Sequence, residues 1–263
     1  MVIILILYQL CRILFFLYNA HYFSEIYLID YIRIIEGSIR FDISAVFYLN
    51  SIVIVLSLIP SRLLTKKWYQ NVIYQLFIYC NVTGIIMNIV DVFYYPFSKR
   101  RLTISSLDEF YSSIAYNNEK GIAKISFEFI KDYWIIIPMV IIVYYIIRYV
   151  AKKTRLNEKD FSFTTRSFLS SLLISVLCLI LVVFGLRGSF IFKNRPITIS
   201  NAGVYTKHPS EISLIINTPF SLLRTYTVQD LKSKDYFNKV ELENYMPIEK
   251  IYDTEMMIKK NVV

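Results

Sequence analysis

Polar side chains inside long apolar stretches are the residues of this sequence best placed to do chemistry. Asn81, Gly84, Asn88 and Asp91 recur at steps of three and four, which places them in one stripe along one face of a helix. Arg12 lies inside the first apolar stretch. A mid-membrane arginine costs ~2.5–3.5 kcal/mol on insertion scales, so we expect Arg12 to face protein or water.

Six polar residues are expected near one membrane surface, the outer one, and form a candidate substrate-binding site for a lipid headgroup. They are Arg40, Asp42, Asn88, Asp91, Arg187 and Arg195. The arginines could fork onto a phosphate, and the acidic groups could orient an arginine or bind a headgroup hydroxyl or amine. Polar contacts between helices, with Asp42 capping a helix, would explain the same residues. Both interpretations remain open.

The chain carries no motif of a complete enzyme active site. Its two histidines, His21 and His208, have no Cys or His neighbours at metal-ligand spacing. No G-x-S-x-G, Walker loop or G-x-G-x-x-G motif occurs. The three cysteines lie within apolar stretches, where they are typical of small hydrophobic residues. We therefore predict no catalytic residue and no metal ligand in this sequence.

The elements that must position these polar residues are membrane helices. The chain is 56% hydrophobic and 19% charged, which is too apolar for an ordinary soluble domain. A bilayer core of ~30 Å needs about 20 helical residues. We predict an all-α membrane protein whose transmembrane domain, residues 1–186, has five spans at about 1–24, 43–60, 71–95, 130–150 and 168–186.

The charge distribution predicts the orientation of these spans. The loops after the second and fourth spans are short and rich in Lys and Arg, which favours a cytoplasmic location, although the cations at 99–101 oppose this assignment. The N-terminus is then cytoplasmic and the C-terminal segment extracytoplasmic. The formal charge of +9 forms no basic stripe, so we expect phospholipids rather than nucleic acid as partners.

Three further segments have a predicted structure. The stretch "SSLDEFYSSIAY" at 105–116 predicts a re-entrant or surface helix in the third loop. Residues 187–256 predict an extracytoplasmic helical stalk, with an amphipathic helix interrupted by Pro219. The final residues, 257–263, end in "KKNVV", which is typical of the entry to a buried strand of an α/β domain.

Several stretches resemble the membrane part of lipoteichoic-acid-synthase-like proteins of the sulfatase/alkaline-phosphatase superfamily. They are "IRFDISAVFYLN" at 39–50, "RGSFIFKNRPITISNAGVY" at 187–205, "INTPFSLLRTY" at 216–226 and "DYFNKVELENYMPI" at 235–248. The resemblance implies that five helices and a linker precede an extracytoplasmic catalytic domain. Residues 257–263 would then begin that domain's first strand, cut before its metal ligand, and no catalytic residue of the family has a counterpart here.

The resemblance implies a membrane module of a metal-dependent enzyme. The favoured activity is transfer of phosphoglycerol or phosphoethanolamine from a phospholipid to a cell-envelope acceptor. The catalytic domain would supply the divalent metal (Mn, Mg or Zn) and would be a partner of this module. A sulfatase-type hydrolase, or a non-enzymatic membrane scaffold or transporter component, remains an alternative. We expect no metal-dependent turnover by these 263 residues alone.

Overall fold

The computed structural model describes residues 1–23, 26–59, 64, 66–116, 131–153, 165–188 and 195–226. The chain divides into two compact units, Met1–Val228 and Gln229–Val263, and every described residue belongs to the first. The predicted strand at 257–263 and the stalk residues 227–256 therefore lie outside the described residues.

The described ranges are mostly helical and contain no strand, which confirms the predicted all-α class for this part of the chain. The α-helices are α1 Val2–Asn19, α2 Leu28–Leu49, α3 Ser51–Leu58, α4 Lys67–Ser98, α5 Ile104–Tyr116, α6 Ile136–Lys153, α7 Thr165–Arg187, α8 Ile212–Ile215 and α9 Thr218–Thr225. Three 3₁₀-helices, Ala20–Tyr22, Ile199–Tyr205 and Pro209–Glu211, accompany them.

Three described helices are long and apolar enough to cross a membrane: Val2–Tyr22, Lys67–Ser98 and Ser170–Arg187. A fourth crossing arises if Ile29–Leu49 and Ser51–Leu58, which are bent by 63° at their junction, act together. The fourth predicted span corresponds to α6, which carries three cations among its 18 residues and is not one of these candidates. The chain is thus compatible with a multi-pass membrane protein, with three or four candidate crossings.

Helix α2 begins at Leu28, well before residue 43, where the sequence predicted its membrane span to start. The charges that suggested a loop have protein partners. Asp30 accepts from Lys207 Nζ at 2.9 Å, and Asp42 pairs with Arg12. Because these carboxylates are neutralised by packed neighbours, the helix can continue through them. Asp42 lies inside α2 and does not cap it, so the predicted capping role is wrong.

The bend between α2 and α3 occurs at Asn50, which is fully buried. Its side-chain amide donates to Val46 O at 2.9 Å, a bond to the preceding turn that often bends a helix. Asn50 and Asn81 also exchange two amide hydrogen bonds, of 3.0 and 2.8 Å. Asn81 of the predicted polar stripe is therefore a helix–helix contact, as amides commonly are in membrane bundles.

Hydrogen bonds show that α4 runs antiparallel to α2 and α3. The Asn50–Asn81 pair joins the middle of α4 to the bend, and the Tyr69 hydroxyl donates to Leu56 O at 2.9 Å near the start of α4. Helix α1 runs parallel to α4, because Asn19 Nδ2 donates to Val92 O at 3.0 Å close to the end of both helices.

Helix α7 is also antiparallel to α2 and α3. The Ser175 hydroxyl donates to Leu58 O at 2.6 Å, and the Ser44 hydroxyl donates to Leu186 O at 2.9 Å. Many of the other described side chains of α7 are apolar and exposed, with Leu173 69% accessible. An apolar face of this kind suits contact with lipid.

The third loop contains a helix, as the sequence predicted. Helix α5 spans Ile104–Tyr116, one residue longer at its start than the predicted 105–116. Its first turn is held by Thr103 Oγ1, which accepts from Ser106 N at 3.2 Å. The Thr225 hydroxyl accepts from Ile104 N at 3.1 Å, so the start of α5 contacts the end of α9.

The described part of the predicted stalk, residues 195–226, packs against the helix bundle. It contains α8 and α9, which contact α1, α2 and α4. Pro219 lies in the first turn of α9, where a missing backbone N–H is tolerated. The predicted amphipathic helix is interrupted, as expected, because α8 ends at Ile215 and α9 begins at Thr218. We call residues 212–225 the return segment, because the chain turns back onto the bundle here.

Candidate functional site

Two buried ion pairs lie near the end of the bundle where α1 and α4 terminate. In the first, Arg12 of α1 makes two parallel bonds to Asp42 of α2, Nη1–Oδ2 and Nη2–Oδ1, both 2.7 Å. Only 2% and 1% of the two side chains is accessible. This bidentate geometry is the strongest arrangement that Arg and a carboxylate adopt. It satisfies the expectation that Arg12 faces protein.

The same arginine holds the return segment. Arg12 Nε donates to Leu214 O at 2.6 Å, and Nη2 donates to Ile215 O at 2.9 Å. Both carbonyls belong to α8, a helix of one turn whose last carbonyls lack intrahelical partners. A guanidinium at this position therefore satisfies backbone acceptors and also favours the negative end of the helix dipole.

The second ion pair joins Arg101, just after α4, to Asp91 within α4. Arg101 Nη1 lies 3.1 Å from Asp91 Oδ2, and Arg101 Nε donates to Ser213 O at 2.7 Å. The guanidinium also stacks 3.6 Å from the centre of the Phe15 ring. Burial lowers the pKa of Arg101 from its ordinary value, while the Asp91 carboxylate acts in the opposite direction. We call Arg12, Asp42, Asp91 and Arg101 the charge network.

The turn between α8 and α9 inserts between the two carboxylates. Asn217 Nδ2 donates to Asp42 Oδ1 at 2.8 Å, while its Oδ1 accepts from Phe220 N and so caps α9. The Thr218 hydroxyl donates to Asp91 Oδ2 at 2.7 Å. Thr218 N donates to Asn88 Oδ1 at 3.0 Å. The sequence Asn-Thr-Pro-Phe thus supplies both a helix start and the bonds that join this helix to α2 and α4.

Arg40 occupies a separate, exposed position on α2. Its Nε and Nη2 donate to Gly188 O at 3.2 and 2.9 Å, and its Nη1 donates to the Tyr205 hydroxyl at 2.8 Å. Gly188 has a φ of +63°, and a Cβ there would lie 2.4 Å from Ile197 Cδ1. Glycine is therefore required where the chain leaves α7, and Arg40 ties this exit to α2.

The structure brings together three of the six residues predicted to bind a headgroup. Asp42, Asn88 and Asp91 all bond to the Asn217–Thr218 turn. The others are placed elsewhere: Arg40 bonds to Gly188 O, Arg187 ends α7, and Arg195 is exposed. The role of all six residues in binding a headgroup stays a prediction.

Sequence reasoning missed the partners of these residues. Arg101, Asn217 and Thr218 were not predicted to belong to the site, and Arg12 was expected to face protein or water without a named partner. The available signal was the sequence Asn-Thr-Pro, which is typical of a helix start and carries spare polar groups. It did not indicate which helices those groups would contact.

The arrangement is chemically a neutral, closed set of ion pairs. Two guanidinium groups face two carboxylates, and backbone carbonyls and turn residues take further bonds. Within the described ranges, no three His, Cys, Asp or Glu side chains are grouped to hold a metal ion. The resemblance places its divalent metal in the catalytic domain, and the described residues do not fit one.

Comparisons with known proteins add no relative: no family model, no curated protein and no solved structure matches this chain.

Proposed function

We propose that this chain is the membrane module of a sulfatase-superfamily enzyme, and that the module fixes the chain leading to the catalytic domain against the end of the bundle. The observation that carries the proposal is the charge network. Its two arginines bind three consecutive carbonyls of the return segment, those of Ser213, Leu214 and Ile215. A segment held by buried ionic hydrogen bonds gives the following domain a defined starting point.

A fixed starting point suits an enzyme whose substrate is a membrane lipid. A catalytic site must meet a headgroup at one height above the bilayer, and positioning of this kind contributes strongly to rate. The sequence resemblance supplies the reaction: transfer of phosphoglycerol or phosphoethanolamine from phospholipid to an envelope acceptor. In this proposal the catalytic domain carries the divalent metal.

The proposal includes five spans, with α6 as the fourth crossing in chain order. Two of its three cations, Lys152 and Lys153, form its last two residues, where long side chains reach the headgroups. Arg148 lies one turn earlier, and its Nη1 donates to the Tyr144 hydroxyl at 3.3 Å. The helices then alternate in direction, with a cytoplasmic N-terminus in a bacterial plasma membrane.

Insertion of accessibility reporters tests this topology. Reporters placed after Lys66 and Lys159 are expected to be cytoplasmic, and reporters after Asn117 and Ser233 extracytoplasmic, because the spans alternate. Alkaline phosphatase and fluorescent-protein fusions at each point would measure the side. A cytoplasmic signal at Ser233, or an external one at Lys66 or Lys159, would contradict the five-span arrangement.

The double variant Asn217→Ala/Thr218→Val in the full-length enzyme tests the positioning role. It removes the side-chain bonds of the turn to Asp42 and Asp91 but leaves the arginine–carboxylate pairs. We expect transfer from a lipid donor in vesicles to fall at least tenfold, because the return segment is held less firmly once its side-chain bonds to α2 and α4 are lost. Hydrolysis of a short soluble ester should change less than twofold.

Arg100→Gln is the matched control, because Arg100 forms only an exposed pair with Glu109, 3.5 Å long, near the same end of the bundle. Both activities should stay within twofold of wild type in this variant. Equal loss of lipid and soluble activities in the Asn217→Ala/Thr218→Val enzyme, or no loss of either, would refute a positioning role.

A further inference from the structure

A cavity of about 410 Å³ lies far from the charge network, between α1, α3, α4 and α6. Its walls are mainly apolar and include Val53, Leu58, Ile73 and Phe77. Gln70 marks its position on α4; at ~1.5 Å per residue, this level is about 30 Å along the helix from Asp91. The volume falls within the ~300–1,000 Å³ typical of ligand pockets, and the cavity is partly open to the surface.

Four lysines lie beside this cavity in the chain. Lys66 and Lys67 stand between the lining residues Leu64 and Gln70, and Lys152 and Lys153 directly follow the lining residue Ala151. All four lysines are exposed. Lysines at the end of a membrane helix commonly do no more than anchor it in the headgroup layer. Here the start of α4 and the end of α6 each contribute a pair of lysines close in sequence to residues that line one apolar cavity.

We propose that this cavity is a binding site for an anionic phospholipid. One acyl chain would occupy the apolar cavity, and the headgroup phosphate would lie among the four lysines. A membrane phospholipid joins an apolar acyl chain to an anionic headgroup. It therefore matches an apolar cavity that lies beside basic helix ends. Basic pockets between membrane helices bind anionic headgroups in this way.

The proposal does not rest on the enzymatic activity or on the charge network. It requires that α4 crosses a membrane, since Lys66 and Lys67 then lie at a bilayer surface. In the predicted orientation this surface is the cytoplasmic one, opposite to the surface at which headgroup transfer is proposed. The site would bind a lipid of the cytoplasmic leaflet, and this lipid would stay associated with the helix bundle.

Competition between phosphatidylglycerol and phosphatidylethanolamine, measured by native mass spectrometry on the purified chain in detergent micelles, tests the site. Wild-type protein should retain phosphatidylglycerol in preference to phosphatidylethanolamine. Lys152→Gln/Lys153→Gln should weaken its binding about 30-fold, since each surface lysine contributes roughly a factor of five. Binding of phosphatidylethanolamine should stay within twofold, because the apolar cavity is unchanged.

A second variant tests the cavity itself. Ser57 lines it, and its hydroxyl bonds only to Val53 O of the same helix, so Ser57→Phe fills space at little cost to folding. Retention of both lipids should fall at least fivefold, with unchanged helical circular dichroism.

Arg33→Gln/Arg100→Gln is the matched control, since it removes two exposed cations at the other end of the bundle. It should leave the lipid preference intact. The proposal is overturned if this control lowers phosphatidylglycerol binding as much as Lys152→Gln/Lys153→Gln, if the lysine variant keeps the wild-type preference, or if Ser57→Phe retains both lipids as well as wild type.

Discussion

Replacement of Asp42 by alanine is expected to lower the free energy of unfolding by about 3–5 kcal/mol, because it leaves Arg12 buried without its counter-ion. Asp42 accepts two hydrogen bonds from Arg12 and one each from Gln9 and Asn217, so two other side chains also lose an acceptor. Unfolding in mixed micelles with increasing SDS, followed by circular dichroism, would measure the change.

The double variant Arg12→Met/Asp42→Leu separates the cost of an unpaired charge from the value of the pair. Replacing both members of a buried ion pair by apolar residues of similar size is often nearly neutral. We therefore expect the double variant to recover most of the stability lost in Asp42→Ala. If it is as unstable as the single variant, the loss comes instead from the contacts of Asp42 to Gln9 and Asn217 and from the bonds of Arg12 to the return segment.

Replacement of Asp91 by alanine should release the return segment. Arg101 then lacks its carboxylate, and the Thr218 hydroxyl and Leu102 N lose their acceptor. Leaving a buried charge unpaired costs about 3–5 kcal/mol, so the population with an opened return segment should rise by two orders of magnitude or more. Trypsin cleavage after Arg224, which lies in α9 and is half-buried, would report that population.

Glu109→Gln provides the comparison for this measurement. It also removes one carboxylate paired with an arginine, but the Glu109 and Arg100 side chains are 71% and 57% exposed. Exposed pairs contribute ~0–1 kcal/mol, so cleavage after Arg224 should change less than threefold. Cleavage rates that rise equally in Asp91→Ala and Glu109→Gln would show that the buried pair does not hold the segment.

The burial of the intramembrane polar groups could be predicted from sequence, whereas their partners could not. The cost of a charge in lipid is a local property, so Arg12 was expected to face protein or water, and it is buried, as is the stripe from Asn81 to Asp91. Their partners depend on how distant segments pack. Arg12 bonds to a carbonyl 202 residues away, and no periodicity in either segment encodes that contact.

The start of α2 was predicted too late in the chain. Charges at Asp30, Arg40 and Asp42 lowered the local hydropathy, so the sequence predicted a loop before residue 43. Each of these charges has a partner from a distant part of the chain: Lys207, Gly188 O and Arg12, respectively. Composition therefore located the apolar part of the helix, and only the tertiary structure revealed its full length.

The cations at 99–101 opposed the predicted orientation for a related reason. A count of lysines and arginines treats each one as an exposed charge, but Arg101 is 4% accessible and is paired with Asp91. It contributes to packing at the end of α4 and not to the charge of the loop. The positive-inside rule is weakened wherever a loop arginine is neutralised within the bundle.

The separations within the charge network impose an order on biosynthesis. Arg12 enters the translocon before Asp42, which is synthesised 30 residues later, so α1 is least costly to release into lipid together with α2 as a hairpin. Asp91 and Arg101 are only 10 residues apart and can neutralise each other as α4 is completed. Thr218 follows Asp91 by 127 residues. The return segment is therefore added only after both ion pairs can form, and a ribosome that stalls before residue 213 leaves the charge network without the carbonyls that it binds.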